Sequence, residues 1–313
     1  MMRELKILVV VTIFTLVTYY LVEPFAHHEM HKHFESEGFA YKDLPSAKKG
    51  DVENGKALVM GAGACTGCHG IEAAGLPAPM DPVMAAQSYG VNPPDLSNAG
   101  AVYSAKFLAG LIKNPAHALM VEHKFDPAKG KMHPMTQFYG AGGDLDQEVA
   151  DMVAYLQSIA PSKEKLTSEQ AYELACGRCH ANRYAGWTQV GQTPKFKTKK
   201  DELKFNLQVA DYQDALKGYM GKLPPDLSIY IRSRGKHYIE TFVENPQNYL
   251  PGTAMPRVGV SEEGMEKVIE YLEDSGDAKR HERAEIGPKV LIFMLVFALF
   301  ALLWKKEIWK ELH

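Results

Sequence analysis

Cysteine is scarce in this chain, with four among 313 residues, and four thiols cannot staple a sequence of this size as a disulfide scaffold. Neither sign of charge dominates. The 35 Lys and Arg stand against 38 Asp and Glu for a net charge of −3, which excludes a generally basic nucleic-acid binder, so no nucleic-acid partner is expected. At 46% hydrophobic residues the chain is not of disordered composition. Runs of alternating strand pattern are missing as well. What remains is a helical chain long enough for two domains of about 100–150 residues each.

The apolar content is concentrated at the two ends. Residues 5–22 read LKILVVVTIFTLVTYYLV, with Lys6 as their only charge. At 1.5 Å per residue such a helix rises about 27 Å, near the thickness of bilayer hydrocarbon. Lys6 can snorkel to one interface, and Tyr19 and Tyr20 suit the other. No small-x-small cleavage site follows in Val22-Glu23-Pro24-Phe25-Ala26-His27, so residues 1–24 read as an uncleaved anchor rather than a signal peptide. Val290 to Trp304 is a second unbroken apolar run, extending back to Ile286 if Pro288 lies near the helix start and Lys289 snorkels. Trp304, Lys305, Lys306, Trp309 and Lys310 form its interfacial flank. Arg3 and Lys6 at one outer end and three lysines at the other place both termini in the cytoplasm by the positive-inside rule. The expected location is the inner (cytoplasmic) membrane, with the central part on the periplasmic side.

All four cysteines fall in one motif used twice, Cys65-Thr66-Gly67-Cys68-His69 and Cys176-Gly177-Arg178-Cys179-His180. C-x-x-C-H is the attachment sequence of c-type haem. The two thiols add to the two porphyrin vinyl groups, and the adjacent histidine lies under the iron. A zinc ribbon would repeat its C-x-x-C after about 15–20 residues, far sooner than Cys176 follows Cys68. A thioredoxin-like site would need a βαβ pattern, and structural disulfides give no reason for a histidine after both pairs. Two covalently bound haem c groups are expected.

A duplication locates the remaining ligands. Pro93-Pro94-Asp95-Leu96-Ser97 recurs as Pro224-Pro225-Asp226-Leu227-Ser228, and Asn114-Pro115 with Leu119 recurs at the same offset as Asn245-Pro246 with Leu250. The second copy carries extra residues after its cysteine motif, including Lys195, Lys197, Lys199, Lys200 and Lys204, read as a solvated loop or a docking patch. Each copy closes with an amphipathic helix. Leu145, Val149, Met152, Val153 and Leu156 form one stripe, with Asp144 as N-cap and Gln147 three residues on; Met265, Val268, Ile269 and Leu272 form the other. Thr167 with Gln170 caps the helix that opens the second copy.

A methionine thioether is a soft, neutral axial ligand that favours Fe(II) and raises the potential. Met255, in Gly252-Thr253-Ala254-Met255-Pro256, is expected to serve the second haem. The first copy offers Lys131-Met132-His133-Pro134-Met135, where spacing to the closing helix favours Met135, with Met132 the alternative and His133 a bis-histidine variant. Met80, Met84, Met120 and Met220 read as packing residues.

At this point each half resembles a class I cytochrome c domain. The second, over residues 165–313, is similar to cytochrome c1 through Lys222-Leu223-Pro224-Pro225-Asp226-Leu227-Ser228, Ile231-Arg232-Ser233-Arg234, the Ala254-Met255-Pro256 loop, and Lys279-Arg280-His281-Glu282-Arg283 leading into the C-terminal run. The resemblance implies an all-α fold of two tandem class I cytochrome c domains, at 25–160 and 161–285, flanked by an N-terminal helix and a C-terminal one at 286–313. It implies that Pro225, and Pro94 in the first copy, pack near the haem, and that Arg232 or Arg234 pairs with a propionate. It further implies a subunit of a dimeric quinol:cytochrome c reductase, with a cytochrome b subunit, a Rieske iron–sulfur protein as electron donor and a downstream cytochrome c or terminal oxidase as acceptor. One haem and no fused N-terminal cytochrome domain is the usual cytochrome c1 pattern, and this chain departs from it. The whole chain looks more like the dihaem cytochrome c1 variant of epsilonproteobacterial reductases.

The rival readings are a dihaem subunit of a haem–copper oxidase and, from a different class, a dihaem peroxidase, which would need an open sixth position on one iron. His27, His28, His31 and His33 have spacings compatible with a metal site, but they read more simply as interfacial residues beside partner subunits or lipid headgroups.

Overall fold

The computed structural model describes residues 2–26, 38–46, 48–125, 128 and 130–310. His27, His28, His31 and His33 lie outside the described residues. Helix α1 (Met2–Val17) continues through a π-helical stretch, Thr18–Val22. The Thr15 and Thr18 hydroxyls donate back to the carbonyls of Val11 and Phe14, which satisfies the polar groups of an otherwise apolar helix. Among the described residues, two helices are long and apolar enough to cross a membrane, Arg3–Ala26 with mean hydropathy 2.2 and Arg280–Lys310 with 2.5. Their large apolar side chains are exposed throughout.

Between them, the first half runs through α2 (Val52–Met60), α3 (Pro82–Tyr89), α4 (Ala99–Val102), α5 (Ala105–Lys113), α6 (Pro115–Ala118) and α7 (Leu145–Ile159). The expected cap of α7 is present, Asp144 accepting from the Gln147 amide. Val149, Met152, Val153 and Leu156 of its apolar stripe are buried, each such side chain being worth about 1.5–3 kcal/mol, while Leu145 is half-buried. Helix α2 crosses α7 so closely that a side chain at Gly55 would collide with the Asp151 carbonyl. Asp151 fixes this crossing, its carboxylate accepting from the Asp51 amide at 2.7 Å, from Asn54 Nδ2 at 2.6 Å and from Gln147 Nε2 at 2.8 Å.

The second half opens with α8 (Ser168–Tyr172), where Thr167 and Gln170 form the expected reciprocal cap, and passes through a π-turn at Glu173–Gly177. A hairpin of two-residue strands follows, β1 (Trp187–Thr188) antiparallel to β2 (Gly191–Gln192). Then come α9 (Lys199–Met220), α10 (Tyr230–Arg234), α11 (Lys236–Glu244), α12 (Pro246–Tyr249), α13 (Glu262–Gly276) and α14 (Arg280–Lys310). Helix α13 is capped by Ser261, and its Tyr271 stacks on Tyr172 of α8 with ring centroids 4.3 Å apart.

Three sequence expectations are corrected. The lysine-rich extra stretch is not a loop beyond Thr198. It forms the 22-residue helix α9, with Thr198 capping its start and Gly221 ending it. Good helix formers supply the propensity, and Tyr212, Leu216 and Met220 at helical spacing are buried on Ala86 of α3. The C-terminal helix begins at Arg280 rather than Ile286, because Arg280 and Arg283 are held by Asp274 and Asp277 at 3.0 and 2.5 Å. Met84 is 57% exposed rather than packed.

One core cluster runs through both halves. It contains Val59, Ile71, Phe107 and Met152 from the first, together with Tyr172, Val260, Met265 and Leu272 from the second. The seam is bonded by the Tyr103 hydroxyl on Leu174 O at 2.8 Å, Ser261 N on Val102 O at 2.8 Å and Ser104 N on Gly259 O at 2.9 Å. Gly259 is required there, since its φ is +76° and the Phe107 ring fills the space a Cβ would take.

Candidate functional site

Each C-x-x-C-H segment closes as one tight turn. The His69 amide donates to Cys65 O at 2.9 Å, and the His180 amide to Cys176 O at 2.8 Å, so the histidine returns beside the first thiol of its pair. All four cysteines are free thiols. Burial pushes Cys65 up to about 11 and Cys176 up to about 12, the pKa of a thiol that packs as a small apolar group.

The histidines are held identically. His69 Nδ1 lies 2.7 Å from Pro94 O, and His180 Nδ1 lies 2.8 Å from Pro225 O. Burial lowers the pKa of both imidazoles, so each is neutral, with its proton on the nitrogen that faces the carbonyl. Nε2 keeps its lone pair and makes no hydrogen bond among the described residues, which is the state a metal-ligating histidine needs.

The loops that present these carbonyls are duplicated atom for atom. Asp95 accepts from the Ser97 amide at 2.8 Å and the Glu72 amide at 3.0 Å, and Ser97 Oγ accepts from the Ala73 amide at 2.9 Å. Asp226 accepts from the Ser228 amide at 2.9 Å and the Arg183 amide at 3.1 Å, and Ser228 Oγ accepts from the Tyr184 amide at 3.1 Å. Pro94 and Pro225 therefore supply backbone oxygens, a more specific part than the apolar packing expected of them. Asn114 and Asn245 likewise cap α6 and α12 in near-identical backbone conformations.

The methionine loops differ in detail. Met132 is 61% exposed, whereas Met135 and Met255 are half-buried. His133 is taken up at both ring nitrogens, with Nδ1 accepting from the Met135 amide at 3.1 Å and Nε2 3.2 Å from the Tyr219 hydroxyl. On the Met255 side, Gln247 bonds Thr253 O and the Gly252 amide, and Lys124 Nζ donates to Ala254 O at 3.0 Å. Each methionine loop is thus held by a side chain from the opposite half, Tyr219 for one and Lys124 for the other. Burial lowers the pKa of Lys124, and Lys131 lowers it further.

Arg232 and Arg234 are both exposed. Arg232 Nε lies 3.9 Å from Asp277, and the Arg234 guanidinium sits 5.2 Å above the Tyr238 ring. The arginine buried nearest the Met255 loop is one that spacing did not reveal. Arg257 is 2% exposed, donates to Ala118 O and Asp43 at 2.8 Å each, and leaves Nη2 without a partner among the described residues.

Two thiols unbonded to each other, a neutral imidazole with Nε2 free, and a half-buried thioether make the donor set of a covalent haem c. The residues about Cys65, Cys68 and His69 fit that group, and the same donor types recur about Cys176, Cys179 and His180. Residues 52–160 match the family model described as Cytochrome c. That region is a cytochrome c domain, and it makes the chain a haem-binding electron-transfer protein with covalently bound haem c. The match falls on the first half rather than on residues 165–313, where the likeness to cytochrome c1 was drawn. No curated protein and no solved structure matches the chain.

Proposed function

We propose that the chain is a dihaem c-type cytochrome, anchored in the inner membrane by both end helices, and the cytochrome c1-like subunit of a quinol:cytochrome c reductase. The observation that carries the dihaem reading is the repeated cradle, His69 on Pro94 O and His180 on Pro225 O, each braced by the same aspartate and serine. A second C-x-x-C-H without a haem would have no use for that bracing.

Haem c, when bound, supplies a one-electron Fe(III)/Fe(II) couple. The chain's residues do the rest. His69 and His180 present Nε2 in a fixed tautomer, and Met135 and Met255 are the thioethers that would complete the two haem sites and raise their potentials. The exposure of Met132 and the engagement of His133 by Tyr219 favour Met135. With a histidine and a methionine available to each haem, both axial positions would be filled by this chain, which favours electron transfer over the peroxidase reading and puts quinol oxidation in another subunit. The expected partners are a cytochrome b subunit, a Rieske protein as donor, and a downstream cytochrome c or terminal oxidase as acceptor, in a dimeric complex. Arg232 or Arg234 is the propionate partner this reading would assign.

The Glu4–Lys305 ion pair at 2.5 Å joins the outer ends of the two apolar helices, which supports placing both termini on one side of the membrane. The positive-inside rule makes that side the cytoplasm. Purification of the native complex tests the whole reading. Cytochrome b and a Rieske protein with two haem c per chain are expected; a copper-binding haem subunit instead would assign the chain to an oxidase, and one haem per chain would overturn the dihaem assignment.

A further inference from the structure

We infer that Arg178 is a positioning residue shared by both haem sites, joining the two attachment segments by one hydrogen-bonded bridge and placing a common positive charge between them. The inference rests on the dihaem reading above. Arg178 is the third residue of the second C-x-x-C-H motif, yet its side chain serves the first half. Nη1 donates to Asn92 O at 3.0 Å, while Nε donates to Leu174 O on its own segment at 3.4 Å. Asn92 stands two residues before Pro94, whose carbonyl holds His69 Nδ1 at 2.7 Å.

The bridge is braced from above by α9. The Tyr212 hydroxyl accepts from the Asn92 amide at 3.1 Å and donates to Arg178 O at 2.8 Å, so one phenol fixes both ends of the link. Tyr212 is fully buried, and its neighbours Leu216 and Met220 pack with Val91 and Cys179. The extra helix of the second half thus clamps the His69-bearing loop of the first.

Two physical consequences follow. A continuous path runs from His69 through Nδ1–H···O=C of Pro94, the backbone to Asn92, the hydrogen bond to Arg178, and the backbone to Cys179 and His180. Electron tunnelling decays less steeply through covalent and hydrogen bonds than across a gap, so this path couples the two sites. The transfer is of one electron, lost by one iron and gained by the other, with no bond broken and no proton moved. The guanidinium charge also stands beside both attachment segments, since Arg178 belongs to the second and reaches Asn92 O in the first. A fixed cation near an iron favours the reduced state.

Redox titration and flash-induced reduction of the full-length protein test this, with haem counted by mass in every variant. Arg178→Gln should lower the midpoint potentials of both haems and slow electron redistribution between them several-fold. Arg178→Lys keeps the charge but loses the planar fork, so it should leave both midpoints nearly in place and still slow redistribution. Tyr212→Phe leaves the attachment motif intact and should slow redistribution without moving the midpoints. Two haems with unchanged midpoints in Arg178→Gln, a shift confined to one haem, or unchanged redistribution in Tyr212→Phe would each overturn the bridge while leaving the dihaem reading intact. A single haem on the unmodified chain would overturn both.

Discussion

His180 Nδ1 lies 2.8 Å from the carbonyl oxygen of Pro225, a bond that spans 45 residues of sequence and fixes the tautomer of the imidazole. The Pro225 loop is in turn held by Asp226, which accepts from the Arg183 and Ser228 amides. Asp226→Ala would remove both acceptors, at a cost of about 1–3 kcal/mol. Thermal melting of the haem-loaded protein should show the loss, with Asp226→Asn intermediate. Equal melting of Asp226→Ala and the unmodified protein would mean that the loop is held by other contacts.

The axial assignments predict separable redox effects. Met255→His should lower the midpoint of one haem markedly, and Met135→His that of the other, because imidazole stabilises Fe(III) relative to a thioether. Met132→His should move neither. Potentiometric titration distinguishes the three variants, and a large shift from Met132→His would transfer the ligand role from Met135.

Asp151 predicts an acid-sensitive crossing of α2 and α7. Burial by itself would raise its pKa, but the hydrogen bonds from the Asp51 amide, Asn54 and Gln147 outweigh burial and lower it. A carboxylate whose folded-state pKa is depressed contributes stability above its unfolded value of about 3.9, and loses that contribution as pH falls through the folded value. Asp151→Asn should therefore cost about 1–3 kcal/mol near neutrality and weaken the fall in stability on acidification. Urea unfolding midpoints across that pH range would show it; parallel pH profiles for the two proteins would refute it.

Gly55→Ala should destabilise the first domain by about 1–3 kcal/mol, since the added methyl meets the backbone of α7 rather than a flexible side chain. Gly218→Ala in α9, where a Cβ would meet nothing within 4 Å, is the control and should be neutral or slightly stabilising. Since alanine raises helix propensity over glycine, an unchanged or increased stability of Gly55→Ala would refute the close crossing.

The features legible in the sequence are those made by near neighbours. The C-x-x-C-H spacing, the Thr167–Gln170 and Asp144–Gln147 caps, and the buried stripes of α7 and α13 all depend on residues within a turn or two of one another. The repeat of Pro94 and Pro225 was legible too, although its purpose, a carbonyl for the histidine, needed the fold. Helix α9 escaped notice because its many lysines resembled a solvated loop and hid the spacing of Tyr212, Leu216 and Met220. Lys124 on Ala254 O and Tyr219 on His133 were beyond reach for another reason. These pairs are 130 and 86 residues apart, and only the docking of the halves brings them together.

The core cluster shared by both halves has a consequence for timing. Tyr103 bonded to Leu174 and the Gly259 turn wedged on Phe107 tie the two attachment segments into one packed body among the described residues, so neither swings toward a partner on its own. On the dihaem proposal, the interval between them is set by architecture, and passage across it would not wait on diffusion of a tethered head. Any waiting falls to the encounters at either end of the route.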